Sequence, residues 1–214
     1  MSRKTPDSTA PDPGSGDDAQ SRGRPRDPAI DQAIIDATRR RLVIDGYTKM
    51  TIGDVAREAG VTRPTIYRRW NDKFGLVVDS LDYGFRAQRA MYPTTEFDSL
   101  TGFDAFIEAI RRVDPCYFNP DAMVLVGNFM GEKLRTPKLL SMFREHAVEP
   151  RVFMVENLLL ALQKKGEVRI DVDIHTVATL SFGAYYAAFL RGENDRSQLA
   201  TQVAATLWPG ISAN

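Results

Sequence analysis

The sequence predicts an all-α protein, with a three-helix helix-turn-helix domain near its N-terminus and a larger helical domain behind it. Three observations lead there. Apolar residues recur at helical spacing almost throughout, and no period-2 alternation is long enough to build a sheet. Gly and Pro fall where helices end or begin. Two short amphipathic segments flank a three-residue turn at Gly60–Thr62.

Composition sets the frame. Apolar residues make up 43% and charged residues 26%, ordinary for a globular chain, so a wholly disordered or fibrous protein is excluded. Net charge is zero but unevenly spread. Residues 22–75 hold 12 Lys+Arg against 7 Asp+Glu, whereas residues 76–214 hold 14 against 17. A basic head on an acidic body points to a local polyanion site rather than a general nucleic-acid coat. The single cysteine, Cys116, rules out an intramolecular disulfide framework and fits a reducing compartment. No stretch reaches the roughly 18 apolar residues of a membrane span, and no signal-peptide run opens the chain. The expectation is a cytoplasmic protein with no membrane partner.

Residues 1–27 form the first expected unit, a tail rich in Ser, Asp, Pro and Gly with too few large apolar side chains to offset the entropy of ordering. It closes on a basic cluster, Arg22, Arg24 and Arg26. That cluster reads either as a solubilising tail or as an arm reaching into a minor groove. The first helix follows, with Ile30, Ile34, Ala37 and Leu42 on its inner face and Gly46 as its cap.

Thr51 opens the next helix. Asp54 three residues on gives a capping box with Asp in place of Glu, and Ile52, Val55, Ala56 and Ala59 form the inner stripe. Gly60 supplies the left-handed residue that ends the helix. Thr62 is the expected N-cap of a third helix, and Pro64 sits in its first turn. With Val61 and Ile66 turned inward, Arg63, Thr65, Tyr67, Arg68 and Arg69 are left for a major groove. Arg63 would favour guanine if bidentate. Tyr67, Lys73 and Thr51 suit phosphate contacts that fix register without reading sequence.

The run Ile34-Ile35-Asp36-Ala37, Gly46-Tyr47, Thr51-Ile52, Val55-Ala56, Ala59-Gly60-Val61, Thr65-Ile66-Tyr67, Trp70, Asp72-Lys73 and Leu76 resembles the DNA-binding signature of the TetR family of bacterial regulators. Thr38, Arg41 and Trp70 depart from the commoner residues without removing a contact position. The resemblance implies a helix-turn-helix DNA-binding domain at 28–73 and a ligand-binding and dimerisation domain at 74–214. It also implies double-stranded DNA, a small-molecule effector and a second copy of the chain as partners. A looser similarity extends through Glu149–Asp173.

In the larger domain, Phe74, Val77, Val78, Leu81 and Phe85 mark a helix from Asp72 to Met91, stopped by Pro93. Further helices are expected at Phe103–Ile110, Pro120–Arg135, from Pro137 to Lys165 with an interruption at Pro150, and at Asp173–Arg191 and Ser197–Leu207. The last two carry small and apolar residues on several faces, so they are the expected homodimer interface. Phe106, Asn128, Phe129, Met130, Phe153, Met154, Asn157 and Tyr185 are candidate effector contacts, within a wider aromatic set that includes Phe143 and Tyr186. Each reads equally as plain core.

His146 and His175 stand too far apart to form a metal site by spacing, and Asp171 and Asp173 read as capping acids. With no phosphate loop and no nucleophile–base arrangement, neither cofactor nor enzyme activity is expected. The alternative to an effector-responsive repressor is a regulator that acts through protein partners. It predicts a filled C-terminal core.

Overall fold

The computed structural model describes residues 27–90, 97–117, 119–193 and 195–213. Arg22, Arg24, Arg26 and the helix stop at Pro93 lie outside the described residues. The rest is helical, with no strand among the described residues and one isolated bridge, Val168 to Ser212.

Helix α1 (Pro28–Lys49) starts on Asp27, whose carboxylate accepts the Ala29 N–H, and breaks at Gly46 (φ 69°, ψ 172°). Helices α2 (Ile52–Glu58) and α3 (Arg63–Tyr67) follow, turned by Gly60 at φ 66°. At Thr51 the hydroxyl accepts the Asp54 N–H (3.2 Å) and donates to the Asp54 carboxylate (2.5 Å). That donation, ahead of all other causes, holds the Asp54 carboxyl below its ordinary range. Thr62 occupies the N-cap position of α3 but makes no side-chain cap; its hydroxyl bonds that of Thr65 instead (3.0 Å). The connector α4 (Lys73–Ala90) gains from Asp72, which accepts the Gly75 N–H at 2.7 Å.

The body contains α5 (Gly102–Arg112), α6 (Ala122–Gly131), α7 (Pro137–Phe143), α8 (Glu149–Lys165), α9 (Ile174–Leu190) and α10 (Leu199–Ile211). A π-helical turn, Arg144–Val148, joins α7 to α8, so Pro150 sits in a new first turn where its missing N–H costs nothing. Gly166 (φ 74°) caps α8, and Asp173 caps α9 by accepting the N–H groups of His175 and Thr176.

Two expected boundaries need correction. Helix α6 stops at Gly131, not Arg135, because residues 132–135 form turns closed by the Thr136 N–H on the Glu132 carbonyl (2.7 Å). Helix α10 runs on past Leu207 to Ile211. Pro209 lies in its last turn, where few helical bonds remain to lose, and the Arg169 N–H anchors the end on the Ile211 carbonyl (2.9 Å).

Two apolar cores result. One joins Ile34, Leu42, Val55, Ile66, Leu76 and Leu81 of the first four helices to Val126, Phe129, Leu139 and Phe143 of α6 and α7. The other packs α5 and α8 against α9 and α10 through Phe106, Ile110, Leu159, Ala178, Tyr185 and Ala204. Buried hydroxyls of Thr38, Ser80 and Ser181 each donate to the carbonyl one turn back (2.7–2.8 Å), which satisfies them without distant partners. No described helix is long and apolar enough to cross a membrane.

Candidate nucleic-acid interface and internal cavity

Burial of Ile52, Val55, Ala56 and Ile66 decides which way α2 and α3 face. Thr51, Thr62, Arg63, Pro64, Tyr67 and Arg68 are exposed on one surface, with Thr65 partly buried among them. Tyr67 is 53% exposed, so it is not a core residue with a wet hydroxyl. Arg68 donates to the Thr65 hydroxyl (3.1 Å). The Arg63 guanidinium lies over Gly53 at the start of α2, in space that a Cβ there would fill.

Arg69 and Lys73 do not join this surface. Arg69 lies past the end of α3 and folds inward, pairing its Nε with Asp31 of α1 and donating Nη1 to the Thr65 carbonyl (3.1 Å); its side chain is only 11% exposed. Lys73 turns to the broken end of α1. Its ammonium donates to the carbonyls of Tyr47 (2.8 Å) and Met50 (3.1 Å) and lies 4.3 Å from the centre of the Tyr47 ring. Burial lowers its pKa, against the opposing pull of Glu132. Both cations hold the reading head together, because carbonyls and a carboxylate within the chain take two of the three Lys73 donors and two of the five Arg69 donors.

Asn128 also has a different place. Its amide on α6 donates to the carbonyls of Leu42 (2.9 Å) and Val43 (3.2 Å), where α1 nears its break. One turn on, buried Glu132 accepts from the Thr48 hydroxyl (2.5 Å). The two side chains latch the body to the head.

The structure does not gather the eight candidate effector residues around one space. Phe106, Phe129 and Tyr185 are filled core, Met154 packs partly buried on the second core, and Met130, Phe153 and Asn157 are exposed. The reason is that α6 and α8 are apolar on more faces than one chain can cover. A cavity with about 30 Å3 of free space lies instead at the junction of α1, α4, α6, α7, α8 and α9. Leu81, Phe85, Val126, Phe143 and Phe182 supply its apolar wall, and Arg39, Asn119, Arg151 and Tyr186 its polar groups. The space is narrow, so a ligand of more than a few atoms must displace ring edges. Burial, more than any charge, pushes the Tyr186 phenol up to about 12. Phe143 and Tyr186 belong to the wider aromatic set; Arg39, Phe85, Arg151 and Phe182 were missed. One signal was available: Gly84 interrupts the apolar pattern of α4, and an isolated glycine inside a helix often marks a close approach. The Arg39 guanidinium is what approaches it.

Two short helices joined by a glycine turn, presenting threonine, tyrosine and arginine on one face, define a helix-turn-helix DNA-binding transcriptional regulator. Residues 34–79 match the family model of bacterial regulatory proteins, tetR family. The chain is 24% identical over 193 residues, 90% of it and 94% of its relative, to the uncharacterized HTH-type transcriptional regulator YdeS of Bacillus subtilis. It is 28% identical over 156 residues, 68% of it and 76% of its relative, to the DNA-binding transcriptional repressor TetR of Mycobacteroides abscessus. Its fold matches a protein of Saccharomonospora viridis described as a transcriptional regulator and solved in complex with choline (TM-score 0.68, 18% identity, 88% of this chain and 100% of that one). Residues 34–79 therefore carry the DNA-binding domain of the TetR family.

Proposed function

We propose that this regulator is a repressor that binds a palindromic operator as a homodimer and releases it when a small molecule enters the body. The cavity carries the reading. It lies where the connector α4 meets α1, so an occupant touches both the body and a helix of the head. The partner-protein alternative predicts that this narrow space stays closed to small molecules, whereas the effector reading predicts that it opens to one. An effector lowers DNA affinity only by its differential binding to the two conformations. The relative from M. abscessus is a repressor and the S. viridis protein holds choline; these support the class of behaviour, not the ligand.

In this reading residues 28–73 are the DNA-binding domain and 74–214 the effector and dimerisation domain. Thr51, Thr62, Arg63, Pro64, Thr65, Tyr67 and Arg68 meet DNA. Helices α9 and α10 pair with their counterparts in a second copy. Their outer faces form an open apolar groove lined by Leu180, Val203, Thr206 and Leu207, with Leu180 53% exposed. A two-fold pair would present two recognition helices to half-sites one helical turn apart, and a protein that binds the chromosome in this way would act in the cytoplasm.

Fluorescence anisotropy against the DNA flanking the protein's own gene, at two salt concentrations with a scrambled duplex beside it, tests this. Tight binding that prefers the native duplex, with one dimer per site, is expected. Equal weak binding to both duplexes would refute an operator at its own gene.

A further inference from the structure

The cavity wall holds one charge that the fold does not answer. Arg39, on α1, is partly buried, and it makes no ion pair or hydrogen bond among the described residues. Its neighbour in sequence, Arg40, pairs with Glu58 (2.6 Å), and Arg41 with Asp45, so the lack of a partner is particular to Arg39. The guanidinium lies flat on α4, where a Cβ at Gly84 would come within 2.8–3.0 Å of three of its atoms. A guanidinium presents five donors and cannot shed its charge. Beside Leu81, Phe85, Val126 and Phe182 its donors have no partner among the described residues, and an anion entering the cavity would meet them in charge-assisted hydrogen bonds.

The rest of the lining agrees in sign. Arg151 is the other charged residue of the cavity wall and donates to the Ala147 carbonyl. The carboxylate near it is Asp114, which also feels Arg196 and whose pKa burial raises. Asp36 and Asp121 stand outside, on an open cleft that shares Arg39 and Asn119 with the cavity. Asn119 and the Tyr186 hydroxyl, which stays protonated through the physiological range, add uncharged donors. Among the described residues, no acidic side chain lines the cavity itself to receive a cation.

We propose that the effector is an organic anion, a carboxylate on an apolar body, whose acidic head is held by Arg39. This rests on the effector-responsive reading above and deepens it. Arg39 belongs to α1, the helix that Arg69 ties to the recognition helix through Asp31. The head of the ligand therefore pulls directly on the element that aims the DNA-reading surface, with Gly84 leaving room for the guanidinium to move along α4.

The test uses the full chain and three probes of one length and different charge: octanoate, octan-1-ol and octyltrimethylammonium. Calorimetry reads their binding, and anisotropy on operator DNA reads release. Octanoate is expected to bind at least tenfold more tightly than the alcohol, and the ammonium more weakly than both. Arg39→Gln should bring octanoate and octan-1-ol to within about threefold of each other. Gly84→Ala should do the same in a folded protein, because its methyl occupies the guanidinium's place while alanine favours the helix. Tighter binding of the alcohol or the ammonium, with release of DNA, would overturn the anion proposal and leave the effector-responsive reading standing. An octanoate preference that survives both variants would overturn the role of Arg39. Binding of none of the three would sink the anion proposal, and DNA affinity indifferent to a wider set of bound compounds would sink the reading beneath it.

Discussion

Arg68 and Arg69 are adjacent in sequence yet should fail in different ways when truncated. Arg69→Ala removes an ion pair with Asp31 and a hydrogen bond to the Thr65 carbonyl, both shielded, with side-chain exposures of 11% for Arg69 and 32% for Asp31. Losing one partner of a shielded, hydrogen-bonded pair costs about 2–3 kcal/mol, including the carboxylate left behind. Arg68 is exposed and makes one hydrogen bond, to the Thr65 hydroxyl, so Arg68→Ala should change stability by less than about 0.5 kcal/mol. DNA binding should show the reverse. Each phosphate contact contributes about 0.9 to the slope of log K against log salt, so losing one per protomer flattens a dimer's slope by about 1.8. Urea unfolding and anisotropy across a salt series separate the cases. Arg69→Ala should lower the unfolding midpoint with m unchanged and keep the salt slope, while Arg68→Ala should keep the midpoint and flatten the slope. If Arg69→Ala flattened the slope without loss of stability, the assignment of Arg69 to the interior of the head would be wrong.

Three further outcomes follow from the geometry. Asn128→Ala should cost about 2 kcal/mol, because two carbonyls of α1 lose their donor; hydrogen exchange over residues 42–50 should quicken, and unchanged protection there would remove the latch. Phe129→Ala, at a fully buried ring 5.3 Å from that of Phe143, should cost about 3–5 kcal/mol by urea unfolding, and a cost below 1 kcal/mol would mean the ring is not core. For Tyr186, a pKa raised from 10.0 to about 12 means that the folded state holds the phenolic proton more tightly than the unfolded one. Stability is then unaffected below pH 10 and falls by about 3 kcal/mol as pH rises from 10 to 12. Tyr186→Phe should lose less stability than the parent over that window, and identical alkaline melting curves would contradict the burial.

The reading head was legible because its signals are local. Thr51 with Asp54, the turn at Gly60 and the inner stripe Ile52, Val55, Ala56 each state a backbone geometry within a few residues, and the structure keeps all three. Arg69 and Lys73 face inward against expectation because one lies past the end of α3 and the other opens α4, where periodicity gives little direction. What turned them inward was distant in sequence: Asp31 for one, the carbonyls of a helix broken at Gly46 for the other. The cavity was illegible for a related reason. Six helices contribute one to three residues each, and an apolar stripe looks the same whether it faces a side chain or a space. Met130 and Phe153 show the converse, apolar residues that one chain leaves exposed at 61% and 52%. Asn128 was misread because an amide in an apolar helix signals only that some polar group must be met.

The same first core runs through both the head and the neighbouring half of the body, and this constrains how a signal can pass. Leu42, Val55 and Ile66 share that core with Val126, Phe129 and Leu139, so the head cannot swing as a free unit on a linker. Close-packed interiors resist continuous deformation and move between discrete arrangements. Movement must therefore occur where packing is incomplete, and the junction of α1 and α4 beside the cavity is such a place, with a bare glycine at Gly84 under the Arg39 guanidinium. Toward the end of α1, Asn128 and Glu132 hold the helix by hydrogen bonds, which are directional and can serve as a pivot. A ligand that draws α1 toward the cavity would rotate it about that pivot and carry α3 with it through Asp31 and Arg69. In the proposed mechanism the coupling would therefore depend on residues that touch neither DNA nor the apolar body of the ligand.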